Sequence, residues 1–186
     1  MQKSATKTRD RLIETAATLF RQKGYHGTGL TEVLTASHAP KGSLYHHFPD
    51  GKSDLAMAAA SWVSKGMLQI IEDSFAQADS FADGATTFCF KLAKLFDTAD
   101  HWRSCPISTM LFDGPDNDAF RRHADRILTS WSECAAEHGQ RLGLLPSPQA
   151  EAAAELLLMT IQGAWTIARA KNSADVIRRI PIHLYG

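Results

Sequence analysis

Nine consecutive residues, Pro40-Lys41-Gly42-Ser43-Leu44-Tyr45-His46-His47-Phe48, bring together a cation, two hydroxyls, two imidazoles and a glycine. On a helix turning about 100° per residue, Leu44 and Phe48 fall on one side and face inward. Gly42 and His46 lie nearly opposite, with Lys41, Ser43 and Tyr45 on the flanks. Such an outward surface suits a polyanion. Gly42 lets backbone approach closely, Lys41 neutralises a phosphate, and Tyr45 and His46 can hydrogen-bond a backbone or touch a thymine methyl. Lys52 and Lys23 add charge, and Thr28 can cap the next helix and, with that helix's amides, donate to a phosphate oxygen.

Other chemistry is less well supported. Cys89, Cys105 and Cys134 are odd in number and at unrelated spacings, which fits reduced thiols better than a disulfide framework. Cys105 precedes Pro106 at an expected helix start, where the dipole can lower a thiol pKa, so a thiol-based redox or electrophile sensor stays open beside a plain buried cysteine. His38, His46 and His47 invite a metal, but the adjacent pair is expected to point apart and no carboxylate sits at ligand spacing. Neither a metal site nor a cofactor is expected. The chain has no Gly-x-Ser-x-Gly, His-Glu-x-x-His or phosphate loop, so an enzyme is not expected.

The elements that must position these residues read as all helix, with no sustained period-2 alternation. A first helix is expected from about Thr8 to Lys23, burying Leu12, Ile13, Ala16, Ala17 and Phe20, with Gly24 as its stop. A second runs from about Leu30 to Ala36 with Leu30, Val33 and Leu34 inward. Ser37-His38-Ala39 form the turn, and a third helix covers Pro40 to His46 with the proline at its first position. Two short helices joined by a three-residue turn are the helix-turn-helix arrangement, whose second helix fits the major groove. After Phe48-Pro49-Asp50-Gly51, a long helix from Lys52 to about Ala78 should bury Leu55, Ala59, Trp62, Val63, Gly66 and Ile70. Helices near 82–99, 106–112, 117–142, 149–171 and 174–184 follow. The domains expected are 1–52, with the linking helix running on to about 66, and 67–186.

Charge divides the same way. Residues 1–52 hold eight Lys/Arg against four Asp/Glu, and the remainder twelve against sixteen. That is a basic head on an acidic body. The N-terminus lacks the apolar core of a secretory signal, and the longest apolar stretch, Leu156 to Ala168, is interrupted by Thr160 and Gln162. A cytoplasmic location is expected.

The run Arg11 to Leu55, above all Gly24-Tyr25-His26-Gly27-Thr28 and Pro40 to Lys52, resembles the N-terminal domain of TetR-family repressors. The wording Ala39-Pro40-Lys41-Gly42-Ser43-Leu44-Tyr45-His46-His47-Phe48-Pro49, with Cys105-Pro106 and Gly163-Ala164 downstream, is most similar to the LmrA/YxaF-like branch. The resemblance implies an all-helical homodimer, an operator-reading head, a body binding a small hydrophobic ligand, and no enzymatic activity. Carried over by motif position, Thr28 and Lys52 are phosphate contacts, and Lys41, Gly42, Ser43, Tyr45 and His46 form the recognition surface. One departure stands in the turn, where His38 occupies a position usually held by glycine. A left-handed conformation there is uncommon for histidine.

In the body, 149–171 is apolar almost all round and 117–142 carries one apolar stripe, so these two helices are expected to form the dimer interface. Trp62, Met67, Phe88, Leu92, Phe96 and Met110 are candidates to line the implied pocket, with Gln162, Trp102 or His101 as polar orienting groups. A protein-binding helical adaptor that never touches DNA is the remaining alternative.

Overall fold

The computed structural model describes residues 2–98, 105–112, 118–143 and 147–186. All regular structure among them is helical. The chain runs α1 (Gln2–Gly27), α2 (Leu30–Ser37), α3 (Lys41–His47), α4 (Lys52–Phe75), α5 (Phe81–Thr98), a π-helical turn at Ser108–Phe112, then α6 (Asp118–Arg141), α7 (Ser147–Lys171), α8 (Asp175–Arg178) and α9 (Ile180–Tyr185). It divides into two compact units, one of residues 1–64 and 106–124, the other of 65–105 and 125–186. The division falls within α4, between Ser64 and Lys65. Residues 106–124, expected in the body, join the N-terminal unit: the π-helical turn packs on α1 and buries Met110 and Leu111.

In the first unit, Leu12, Ile13, Ala16, Ala17 and Phe20 form the buried stripe of α1, as their spacing predicts. Gly24 takes φ 71° and ψ 174°, a conformation open to glycine, and breaks the helical path before Gly27. Tyr25 then turns inward. Its ring stacks on Phe20 at 5.8 Å and meets the edge of Phe120 at 5.4 Å, and its hydroxyl lies 3.2 Å from Ser53 Oγ. In α6, His123 Nε2 reaches Ser61 Oγ at 2.9 Å and the Met57 carbonyl at 3.0 Å, joining α6 to α4 within this unit.

The buried stripe of α4 follows Leu55, Ala59, Val63, Met67, Ile71 and Phe75, with Ala56 and Ala60 widening it near the start. Trp62, Gly66 and Ile70, expected on that stripe, do not share its burial: Trp62 and Gly66 are exposed and Ile70 is half-buried. Small alanines beside Leu55 set the buried direction, and the large residues one position away rotate out.

In the second unit, α5 buries Phe81, Ala85, Phe88, Cys89, Leu92, Ala93 and Phe96. Ser80 Oγ accepts the Asp83 amide at 3.1 Å, an N-cap for this helix. Gly84 lets α5 pack tightly against α4, since a β-carbon built there would lie 2.2 Å from the Phe75 ring. The expected single helix at 174–184 is two. Pro181 has no N–H to donate, and Arg179 serves as the last cap of α8 and the first of α9. Arg178 ties α8 back to α5 by pairing with Asp97. Among the described residues no helix is long and apolar enough to cross a membrane.

Candidate nucleic-acid interface

The second and third helices are built around Val33, Leu44 and Phe48, all buried. Leu44 and Phe48 anchor α3 from behind, as their helical positions require. Pro40 is one residue further out than expected. At φ −64° and ψ 144° it is the extended N-cap, so α3 begins at Lys41. The turn before it is closed by backbone: Ala39 N–H donates to the Leu34 carbonyl at 3.1 Å and His38 N–H to the Thr35 carbonyl at 3.2 Å. That pattern needs a left-handed residue at the end of α2. His38 supplies it, with φ 52° and ψ 37°.

The outer face of α3 is open to solvent. Lys41, Gly42, Tyr45 and His46 are exposed and Ser43 is half-buried. A β-carbon at Gly42 would meet nothing within 4 Å, so this part of the surface is open. Beside it, Leu30, Leu34 and Tyr45 line a shallow groove between α2 and α3. The His46 and His47 rings do not point apart, because they meet edge to face with centroids 4.9 Å apart. Desolvation, then the neighbouring His46 and Arg9, lower the pKa of His47.

Lys52 opens α4 and holds its ammonium 4.5 Å above the Tyr25 ring, and partial burial lowers its pKa. The loop before it is shaped by Gly51 at φ 63° and by the Asp50 amide donating to Asp54 Oδ2 at 2.9 Å. Lys23 pairs with Glu32. Thr28 is placed differently from the expectation. It is 1% exposed and its hydroxyl donates to the Gly24 carbonyl at 2.9 Å, while Gly29 is the N-cap of α2 with no side-chain cap bond. The Thr28 hydroxyl closes the Gly24 turn instead of capping α2. One cation escaped the sequence reading: Arg9 of α1 lies 5.6 Å from the Phe48 ring centroid, at the end of α3. No local motif marks it, since α1 and α3 are brought together only by packing.

The expected pocket residues divide between the two units. Trp62 and Met110 belong to the first, while Met67, Phe88, Leu92, Phe96 and Gln162 belong to the second. Met67, Phe88, Leu92, Phe96 and Met110 are buried in the side-chain core and Trp62 is exposed. His101 and Trp102 lie outside the described residues. Gln162 carries a stronger signal. Its Nε2 and the indole Nε1 of Trp165, one turn on, are both buried donors with no hydrogen-bond partner among the described residues. Among the thiols, Cys105 is buried, burial pushes Cys89 up to about 12, and burial together with the neighbouring Glu72 does the same for Cys134. Sequence reasoning also missed a grouping of Glu72, Cys134 and His138.

Known proteins bear on this arrangement at both ends of the chain. The family model for bacterial regulatory proteins of the tetR family matches residues 12–59, and that for the LmrA/YxaF-like transcriptional regulator C-terminal domain matches residues 82–183. The HTH-type transcriptional regulator LmrA of Bacillus subtilis is 28% identical over 171 residues, 91% of each chain. YxaF of the same organism is 31% identical over 125 residues, 67% of this chain and 65% of its own length, so the match spans just under two thirds of that protein. A TetR transcriptional regulator from Chloroflexus aurantiacus superposes with a TM-score of 0.78 at 25% identity, covering 99% of this chain and 94% of that one. The TetR-family regulator CifR, solved with 26 bp of double-strand operator DNA, has the same fold, with a TM-score of 0.79 at 19% identity over 95% of this chain and 94% of its own. With both halves matched and the helix-turn-helix surface exposed between its buried anchors, this chain belongs to the LmrA/YxaF-like branch of the TetR family of DNA-binding transcriptional regulators.

Proposed function

We propose that this regulator is a homodimeric repressor, released from a palindromic operator by a small, mostly apolar effector bound in the C-terminal unit. The observation that carries the DNA half is the outer face of α3, where Lys41, Gly42, Tyr45 and His46 stand exposed over the buried Leu44 and Phe48. Lys41, Lys52 and the N-terminal amides of α2 contact phosphates, and Ser43, Tyr45 and His46 reach base edges. Thr28 acts indirectly, by holding the Gly24 turn that aims those amides. The CifR complex with operator DNA supports this reading by analogy of fold.

The dimer half is supported by α7, which leaves Leu156, Met159 and Ile167 exposed on one side, 48%, 63% and 47% accessible. Gly163 lies between them with open space around it, so a partner backbone can approach closely. A groove beside this face is lined by Leu128 and Ala136 of α6 and Leu158 and Met159 of α7. A symmetric copy burying these two helices satisfies both features.

The effector half is supported by the orphaned Gln162 Nε2 and Trp165 Nε1. A buried donor without a partner costs about 1–3 kcal/mol. A ligand with a carbonyl, carboxylate or similar acceptor on an apolar frame relieves both. The test is a mobility-shift and anisotropy titration of the full chain with the DNA upstream of its own gene, at several salt concentrations. A sequence-specific, salt-sensitive shift is expected. Equal binding to scrambled DNA would count against the operator reading.

A further inference from the structure

Late in α4, Glu72 faces Cys134 and His138, which stand four residues apart on one side of α6. Cys134 Sγ lies 3.5 Å from Glu72 Oε1, and His138 Nε2 lies 2.9 Å from Glu72 Oε2. One carboxylate oxygen, the thiol sulfur and an imidazole nitrogen all lie within 4.8 Å of one another. Zinc holds sulfur at about 2.3 Å and nitrogen or oxygen at about 2.0–2.2 Å, so ligand atoms around it sit some 3–4 Å apart. The observed spacing needs an adjustment of only about 1 Å.

We propose that Glu72, Cys134 and His138 form a three-ligand site for a thiophilic divalent cation such as Zn2+, with its fourth position open to water. The ligand types match: a soft sulfur, an imidazole and one carboxylate on two rigid helices. The imidazole is oriented in advance, because His138 stacks on Phe75 with centroids 5.5 Å apart and planes 17° from parallel. The His138 side chain is 11% exposed and that of Glu72 54%, so the site has a fixed inner wall and a solvent entrance. In the metal-free protein Arg141 Nη2 lies 3.1 Å from His138 Nδ1 and donates to the Phe75 carbonyl at 3.1 Å. A guanidinium only donates, so without metal the imidazole proton sits on Nε2 and points at Glu72. Coordination replaces the Cys134 S–H bond with a sulfur–metal bond and releases that proton to solvent. The imidazole proton moves from Nε2 to Nδ1, and Arg141 keeps its bond to the Phe75 carbonyl alone. The bound ion pins the last turns of α4 to α6 inside the second unit. This inference is independent of the effector reading.

Cobalt(II) chloride titrated into the reduced full-length protein tests it. A sulfur-to-cobalt charge-transfer band with tetrahedral visible bands is expected, and zinc should bleach both. Cys134→Ser should abolish the charge-transfer band, and Glu72→Gln and His138→Gln should each weaken cobalt binding roughly 10-fold or more. Circular dichroism checks that each variant folds. Should His138→Gln fail to fold, Glu72→Gln decides, since its side chain is half exposed. Unchanged affinity in Glu72→Gln, no charge-transfer band in the parent, or a band persisting in Cys134→Ser would overturn the assignment; the last outcome would move it to Cys89 or Cys105.

Discussion

Replacing His38 by glycine should stabilise this protein. His38 closes α2 at φ 52° and ψ 37°, and both backbone bonds of the turn depend on that conformation. A left-handed residue with a β-carbon costs roughly 1–2 kcal/mol, and glycine gives back about 0.5–1 kcal/mol of that through its freer unfolded chain. The imidazole is exposed and makes no hydrogen bond among the described residues, so little else is lost. The net expectation is a gain of about 0.5–1 kcal/mol, or about 1–4 °C in Tm for a chain of this size. Urea unfolding should show a higher midpoint with an unchanged slope. His38→Val should move the other way by about 1 kcal/mol, because a β-branched residue tolerates this region least. The reasoning fails if glycine destabilises or if valine is neutral. Operator affinity measured on the same variants separates two roles: a more stable His38→Gly protein that binds DNA more weakly assigns the ring a DNA contact as well.

Gly84→Ala should cost about 1–3 kcal/mol, read by thermal melting, because the new methyl would lie 2.2 Å from the Phe75 ring and α4 and α5 would have to part. Lys41→Ala should weaken operator and non-specific DNA alike and lower the salt slope by about 1, whereas Tyr45→Ala should cost more on operator than on scrambled sequence. Burial raises the Cys89 thiol from 9.0 to about 12, so the folded state binds that proton more tightly than the unfolded chain. Its contribution to stability is therefore complete below pH 9 and is lost as pH rises toward 12; a pH series of urea midpoints and of thiol-reagent labelling rates should both follow that window.

What could be read from the chain alone was whatever local periodicity and turn chemistry control. The α1 stripe, the Gly24 stop, the inward Leu44 and Phe48, and the left-handed demand on His38 all follow from residues within a turn or two of one another. The exposed face of α3 follows too, because a seven-residue helix pinned by two anchors has one orientation left. Packing between distant segments decided the rest. Trp62 looks like core by spacing, yet Ala56, Ala59 and Ala60 let α4 be approached from a neighbouring direction and leave the indole outside. Thr28 reads as a cap and instead closes the Gly24 turn, since its hydroxyl reaches a carbonyl four residues back. Residues 106–124 read as body and pack with the head, where Phe120 meets Tyr25.

The exposure of Lys41, Gly42, Tyr45 and His46 was legible from their helical positions, but the approach of Arg9 to the end of α3 was not. Thirty-nine positions separate Arg9 from Phe48 and only the fold brings them to 5.6 Å. The cluster of Glu72, Cys134 and His138 shows the same limit. Cysteine and histidine four apart on α6 define half a site, and the carboxylate that completes it arrives from a helix over sixty residues away. A helix dictates which of its own residues share a face. Which face meets which partner is a property of the packed chain, because burial is chosen by the sum of all contacts and not by any one segment.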